Sequence, residues 1–421
     1  MIQVIELLPG ITLRCCRAEK FKQGCQSFQF LRPMAADEAA LNALIPAILL
    51  RGTEKHPDLR SITEALDDLY GASVGTLVRR IGDYQTAGLY CGFIEDRYAL
   101  EGDEILKPMI DLLLELLLTP VTRDGAFSHE YTEGEKRNLI AAIESERNDK
   151  RAYAAAQMLR KMCAADSFGI PRLGERAQVE AITAQTAWAH YEKLLRESPV
   201  EVFYVGTAEA ETVAGLLRAG LSGLDRSPMT LPAQTPFQDA GGGDYTEEME
   251  VTQGKLSMGF TTPITNRCAE FGAMQVFNTL FGAGMTSKLF MNVREKMSLC
   301  YSIGSGYYGS KGILTVSAGI DSAKEPVVRE EILNQLRQCQ AGNITADELN
   351  AAKEAILSGL RGAYDSPGAI EGYESTAAIG GLLWSVEEYY RAVEAVTVEA
   401  VTAAANTVRL HTVFFLKGVD K

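Results

Sequence analysis

The stretch Phe281–Ser305 reads FGAGMTSKLFMNVREKMSLCYSIGS. Gly282-Ala283-Gly284 makes a short turn, Ser287–Met297 has the mixed polar and apolar composition of a packed helix, and Cys300–Tyr307 alternates as a strand. The turn is not a phosphate loop, because Lys288 is misplaced for G-x-x-x-x-G-K. Arg294 closes the helix and Tyr301, seven residues on, opens the strand. A guanidinium and a phenol are both donors suited to an oxyanion that develops during acyl transfer. The competing structural reading pairs Arg294 with a carboxylate such as Glu295 and packs Tyr301 at the strand start.

Working outward, strands are expected at Glu248–Gln253, Lys255–Phe260, Gly312–Ile320 and Val413–Lys417. Helices are expected at Cys268–Phe281, Glu325–Ala341 and Thr345–Arg361. The first half has a similar order. Strand patterns fall at Ile11–Arg17, Gln26–Leu31, Ala72–Arg79, Gln85–Ile94 and Val200–Val205, and helical patterns at Ala36–Arg51, Asp58–Leu69, Gly102–Leu118 and Phe127–Asn148. Between the halves, Ser222–Asp244 is rich in Pro, Gly and polar residues and reads as a linker. Strands in runs and helices in runs predict an α+β protein of mostly antiparallel sheets, each with helices packed on one face. The expected domains are 1–221 and 245–421, joined by 222–244, with tandem duplication suggested by the shared order.

Phe281–Ser305 resembles a segment of the M16 (pitrilysin/insulinase-like) metallopeptidases, in which S-[RK]-L-F-x-x-[VI]-R-E-K is followed by L-[AC]-Y-S. The resemblance implies a fold of two tandem LuxS/MPP-like metallohydrolase domains. It also implies that Arg294 and Tyr301 face a cleft and assist at the substrate carbonyl. Leu50-Arg51-Gly52-Thr53 resembles the end of the family's zinc helix, H-x-x-E-H-x-x-F-[KR]-G-T. Counting back from Gly52 puts the two histidine ligands at Ala43 and Ala47 and the general base at Pro46. The third ligand, a glutamate on a later helix, falls on Ala142, while the preceding family glutamate is kept as Glu135. Alanine offers no lone pair, and proline has neither a carboxylate nor an N–H. Asp166–Thr183, DSFGIPRLGERAQVEAIT, matches a further family segment, so the resemblance runs from about residue 40 to residue 365. The glycine turn is shorter than the glycine-rich loop of mitochondrial relatives, which argues against transit-peptide binding of that kind.

Composition narrows the class. The 421 residues are 46% hydrophobic and 23% charged, a globular balance that suits more than one domain. A net charge of −14 disfavours nucleic acid and anionic membrane as partners. Eight cysteines without a C-x-x-C pair suit reduced thiols in the cytoplasm. The first residues lack a signal-peptide pattern, and the apolar run Pro108–Pro120 is too short to span a bilayer. The four histidines show no ligand spacing. His129 and Glu133 are four apart but lie in SHEYTEGEKR, which reads as a solvated helix face. No G-x-S-x-G elbow is present. No metal and no cofactor are therefore expected.

The resemblance then implies a non-catalytic subunit of a heterodimeric M16 peptidase. Its partner would be a homologue with an intact H-x-x-E-H zinc site, and a peptide would lie in the shared cleft. In the family, substrate adds as a strand beside the zinc helix. The equivalent strand is Ala72–Arg79, which lacks the usual Asn-Ala-x-Thr pattern. The alternative is a scaffold or peptide-binding protein with no part in proteolysis.

Overall fold

Side-chain alternation decides the strands. Ile11, Leu13 and Cys15 are buried while Thr12 and Arg14 between them are partly exposed, the period of a half-buried strand. The computed structural model describes residues 2–100, 102–382 and 384–418. In chain order the first half contains β1 (Ile2–Leu8), β2 (Ile11–Arg17), β3 (Gln23–Pro33), α1 (Ala36–Leu49), α2 (Leu59–Asp68), β4 (Ser73–Ile81), β5 (Tyr84–Ile94), α3 (Leu106–Leu118), the short strands β6 (Thr122–Arg123) and β7 (Ala126–Phe127), α4 (His129–Asn148), α5 (Lys150–Met162), α6 (Arg176–Ala181), α7 (Ala184–Glu197), β8 (Val200–Gly206) and α8 (Ala210–Leu221). The second half contains β9 (Gly243–Met249), β10 (Gly254–Thr261), α9 (Phe271–Asn278), β11 (Ser302–Tyr308), β12 (Ile313–Ile320), α10 (Glu325–Gln340), α11 (Ala346–Gly362), α12 (Pro367–Gly380), α13 (Val386–Glu394), α14 (Val398–Ala405) and β13 (Arg409–Gly418).

The α+β class is what the chain adopts. One sheet has the order β1-β2-β8-β3-β5-β4 and the other β11-β12-β10-β13-β9. All neighbours are antiparallel except β2 with β8 and β13 with β9. Packing divides the chain into two compact units. The first is Met1–Glu144 with Ile170–Ala233 and Ala363–Ile379; the second is Ser145–Gly169 with Gln234–Gly362 and Gly380–Lys421.

In the first unit, Leu13, Phe28, Phe30, Leu89, Phe93 and Val202 form a core with α1, α3, α7 and α8. α3 alone buries Met109, Leu113, Leu116 and Leu117 completely or nearly so, and each such side chain contributes roughly 1.5–3 kcal/mol. Helix starts are fixed by reciprocal caps. Asp58 and Ser61 cap α2, and Thr183 and Thr186 cap α7. The intervening residues of β3 face the other way, and there Ser27 and Gln29 meet Glu371 of α12. In the second unit, α5 packs Met158 and Met162 with Ile313, Phe414 and Leu416 of that unit's sheet.

Three sequence expectations need adjustment. The strand placed at Glu248–Gln253 runs instead from Gly243 to Met249. Its alternation is masked because the outward positions are Asp244, Thr246 and Glu248 on an edge strand. β1, an edge strand of the first unit's sheet with several exposed positions, was not expected from the sequence. The segment 223–242 has no regular structure, yet Arg226 is anchored to the carbonyls of Pro9, Leu195 and Ser198 in the first unit. Among the described residues, no helix is long and apolar enough to cross a membrane.

Candidate functional site

The expected helix over Ser287–Met297 is a π-helical segment, Leu289–Lys296, preceded by another at Thr279–Ala283. The amide of Met297 donates to the carbonyl of Asn292 at 3.0 Å, a five-residue step. Gly282 permits close packing here, since a Cβ would come within 2.7 Å of Ser305 Oγ. Ser298 ends the segment with φ at 50°, a left-handed turn that swings the chain back into β11.

That turn brings Arg294 and Tyr301 together. Arg294 Nε donates to the Tyr301 carbonyl at 3.1 Å, and Nη1 donates to Glu295 at 2.8 Å. The guanidinium also lies 4.6 Å from the centre of the Phe290 ring. The Glu295 contact is therefore present, and it engages only one nitrogen. Nη2 makes no hydrogen bond among the described residues. Tyr301 is not packed away: it is 61% exposed, with no described partner for its hydroxyl. Both residues line a cavity of about 370 Å³ with Glu295, Ser298, Leu299, Cys300, Asp321 and Lys324. Burial pushes the Cys300 thiol up to about 11, so it is no nucleophile near neutral pH.

Ala43, Pro46 and Ala47 lie on α1, and Ala142 lies on α4. All four positions belong to the first unit, while Arg294 and Tyr301 belong to the second. Pro46 sits inside the helix, where its ring nitrogen cannot donate. Ala43 is 6% exposed and part of the core. Just past the end of α1, Arg51 reaches α4 twice: Nη1 donates to Glu135 at 3.3 Å, and the guanidinium lies 5.2 Å from the centre of the Tyr131 ring. These side chains do not fit zinc. Among the described residues no cluster of three or more His, Cys, Asp or Glu is suited to a metal. His129 and Glu133 lie on α4, with Glu133 paired to Lys136 at 2.8 Å.

Beside Ala43, Asn42 anchors a buried polar chain that sequence reasoning missed. Its Nδ2 donates to Gln85 Oε1 at 2.8 Å, and its Oδ1 lies 2.7 Å from His190 Nε2. Gln85 Nε2 donates on to the carbonyls of Ala39 and Arg172. Desolvation lowers the His190 pKa to about 4, despite an opposing pull from Glu38. The ring is neutral near pH 7, and with Asn42 oriented in this way its Nε2 is the donor.

β4, which covers most of the expected strand Ala72–Arg79, lies at a sheet edge beside β5. Its Arg79 is drawn to α12, with Nη2 at 2.9 Å from Glu371 and Nη1 at 2.7 Å from Ser375. No spacing in the sequence could reveal a pair 292 residues apart.

A family model described as the peptidase M16 inactive domain matches residues 181–356. The chain is 28% identical over 411 residues to the probable inactive metalloprotease YmfF of Bacillus subtilis, covering 98% of this chain and 96% of that one. A conserved protein of Enterococcus faecalis V583, known by crystal structure, is similar at 27% identity with a TM-score of 0.93, covering 100% and 99% of the two chains. The crystal structure of a peptidase M16 inactive domain from Pseudomonas fluorescens gives a TM-score of 0.81 at 16% identity, covering 100% and 98%, a likeness of fold.

Proposed function

We propose that the chain is a member of the M16 peptidase family, whose inactive-domain model matches residues 181–356, and that it is the non-catalytic subunit of a heterodimeric, cytoplasmic zinc peptidase. Its two halves, 1–221 and 245–421 about the 222–244 linker, act as a tandem M16-type pair. The zinc, its ligands and the general base come from a homologue with H-x-x-E-H. This chain contributes Arg294 and Tyr301 and helps enclose a peptide, which can add as a strand at the β4 edge.

The observation that carries the reading is the state of Arg294 and Tyr301. The Nε–carbonyl bond ties them into one unit. The Tyr301 hydroxyl and one guanidinium nitrogen stay available as donors, the equipment an oxyanion needs. The missing ligands at Ala43, Ala47 and Ala142, with Pro46 at the base position, support the assignment of chemistry to a partner. Arg294→Ala is expected to lower kcat of the complex by about 10²-fold, the scale of losing one oxyanion donor, with assembly intact by size-exclusion chromatography. Unchanged turnover in that complex would remove the assisting role. The engagement of Arg294 by Glu295 favours a second reading, a scaffold with no role in turnover, and the same mutant separates the two.

A further inference from the structure

We infer that the cavity between the Arg294–Tyr301 turn and the start of α10 binds a carboxylate of a peptide ligand, with Lys324 as a specificity-determining contact. The inference rests on the reading that this wall faces peptide. At about 370 Å³ the cavity is near the small end of ligand pockets, which begin at roughly 300 Å³. It suits one side chain or a chain end, not a whole peptide.

Donor and acceptor counts point to the ligand's charge. The cavity's two acids are already engaged. Glu295 accepts from Arg294 Nη1 at 2.8 Å, and Asp321 accepts from the amide of Ala323 at 3.1 Å. Three donors have no described partner: Arg294 Nη2, the Tyr301 hydroxyl and Lys324 Nζ. One carboxylate offers about four lone-pair sites and can accept from all three. Lys324 is also the residue that precedes the first turn of α10. A cation there opposes the positive end of the helix, and Glu325, in that first turn, is not among the cavity residues. A bound anion would offset both the helix end and the lysine.

The source of the carboxylate can be an acidic side chain or a free C-terminus. Three fluorescein-labelled octapeptides, alike otherwise, separate these by anisotropy on the full chain. One carries a central Glu and an amidated end, one a central Gln and an amidated end, and one a central Gln and a free end. At least one carboxylate peptide is expected to bind roughly 3–10-fold more tightly than the Gln amide, a modest factor because Lys324 and Tyr301 are exposed. A preference for the first identifies a side chain; a preference for the third identifies a chain end. Lys324→Gln, an exposed change whose folding is checked by circular dichroism, should abolish the preference, and rising salt should weaken it in the wild type. Equal binding of all three peptides, no binding of any, or a preference that survives Lys324→Gln overturns the inference. The subunit reading fails on a different result, unchanged turnover of the Arg294→Ala complex, which leaves a carboxylate preference standing.

Discussion

His190 is held neutral by the same burial that lets Asn42 and Gln85 form a closed polar chain. Its pKa falls to about 4 in the fold, against roughly 6.5 when unfolded. Between these values the unfolded chain binds the extra proton. Stability is therefore full above pH 6.5 and declines as pH falls toward 4, by about 3 kcal/mol at most. Urea unfolding at pH 7 and pH 4.5 should show a larger loss for the wild type than for His190→Gln; equal losses would contradict this. Glu38, lowered from 4.5 to about 2 by Arg32 and Lys193 against its own desolvation, stabilises the fold across most of that window and loses its contribution only as pH falls from 4.5 toward 2. At this scale the sequence pointed to Ala43, Pro46, Ala47 and Ala142 through the register of a local motif. It missed Lys324 and His190 because their neighbours are distant in the chain: Lys324 lies thirty residues beyond Arg294, and His190 lies 148 from Asn42.

α12 is tied to the sheet by one buried side chain, Glu371. Glu371 is 1% exposed and accepts from Ser27, Gln29 and Arg79. Removing one member of such a buried pair costs about 3–5 kcal/mol, with the lower figure apt because Arg79 is 28% exposed. Glu371→Ala is expected to lower Tm and speed proteolysis between Ala363 and Gly381, with Glu371→Gln intermediate because it can still accept from Ser27. Wild-type melting and cleavage in Glu371→Ala would refute this anchor. Elements with strong alternation were legible: β2 spans Ile11–Arg17 as expected. The π-helical form of Leu289–Lys296 was not, since its residue composition is that of an ordinary helix and only the hydrogen-bond step differs. β9 was displaced because its outward acids hide its inward Tyr245 and Met249.

The whole molecule repeats one topology. Read from one edge, β4-β5-β3-β8-β2 corresponds to β11-β12-β10-β13-β9, and the single parallel step falls at the same place in each sheet. The compact units also exchange segments reciprocally. α5, from the first half, belongs to the second unit, and nearly all of α12 belongs to the first. The order of elements made this repeated topology legible. The exchange was not, because neither helix differs in sequence character from its neighbours. The second unit carries Arg294 and Tyr301 at its cavity.

The central claim is that these donors serve a zinc site on another chain. Affinity purification of the tagged protein from its own host, with mass spectrometry of what accompanies it, tests that claim most directly. The account predicts a stoichiometric H-x-x-E-H homologue in the eluate. Recovery of the chain alone, or with subunits unrelated to M16 peptidases, would contradict it.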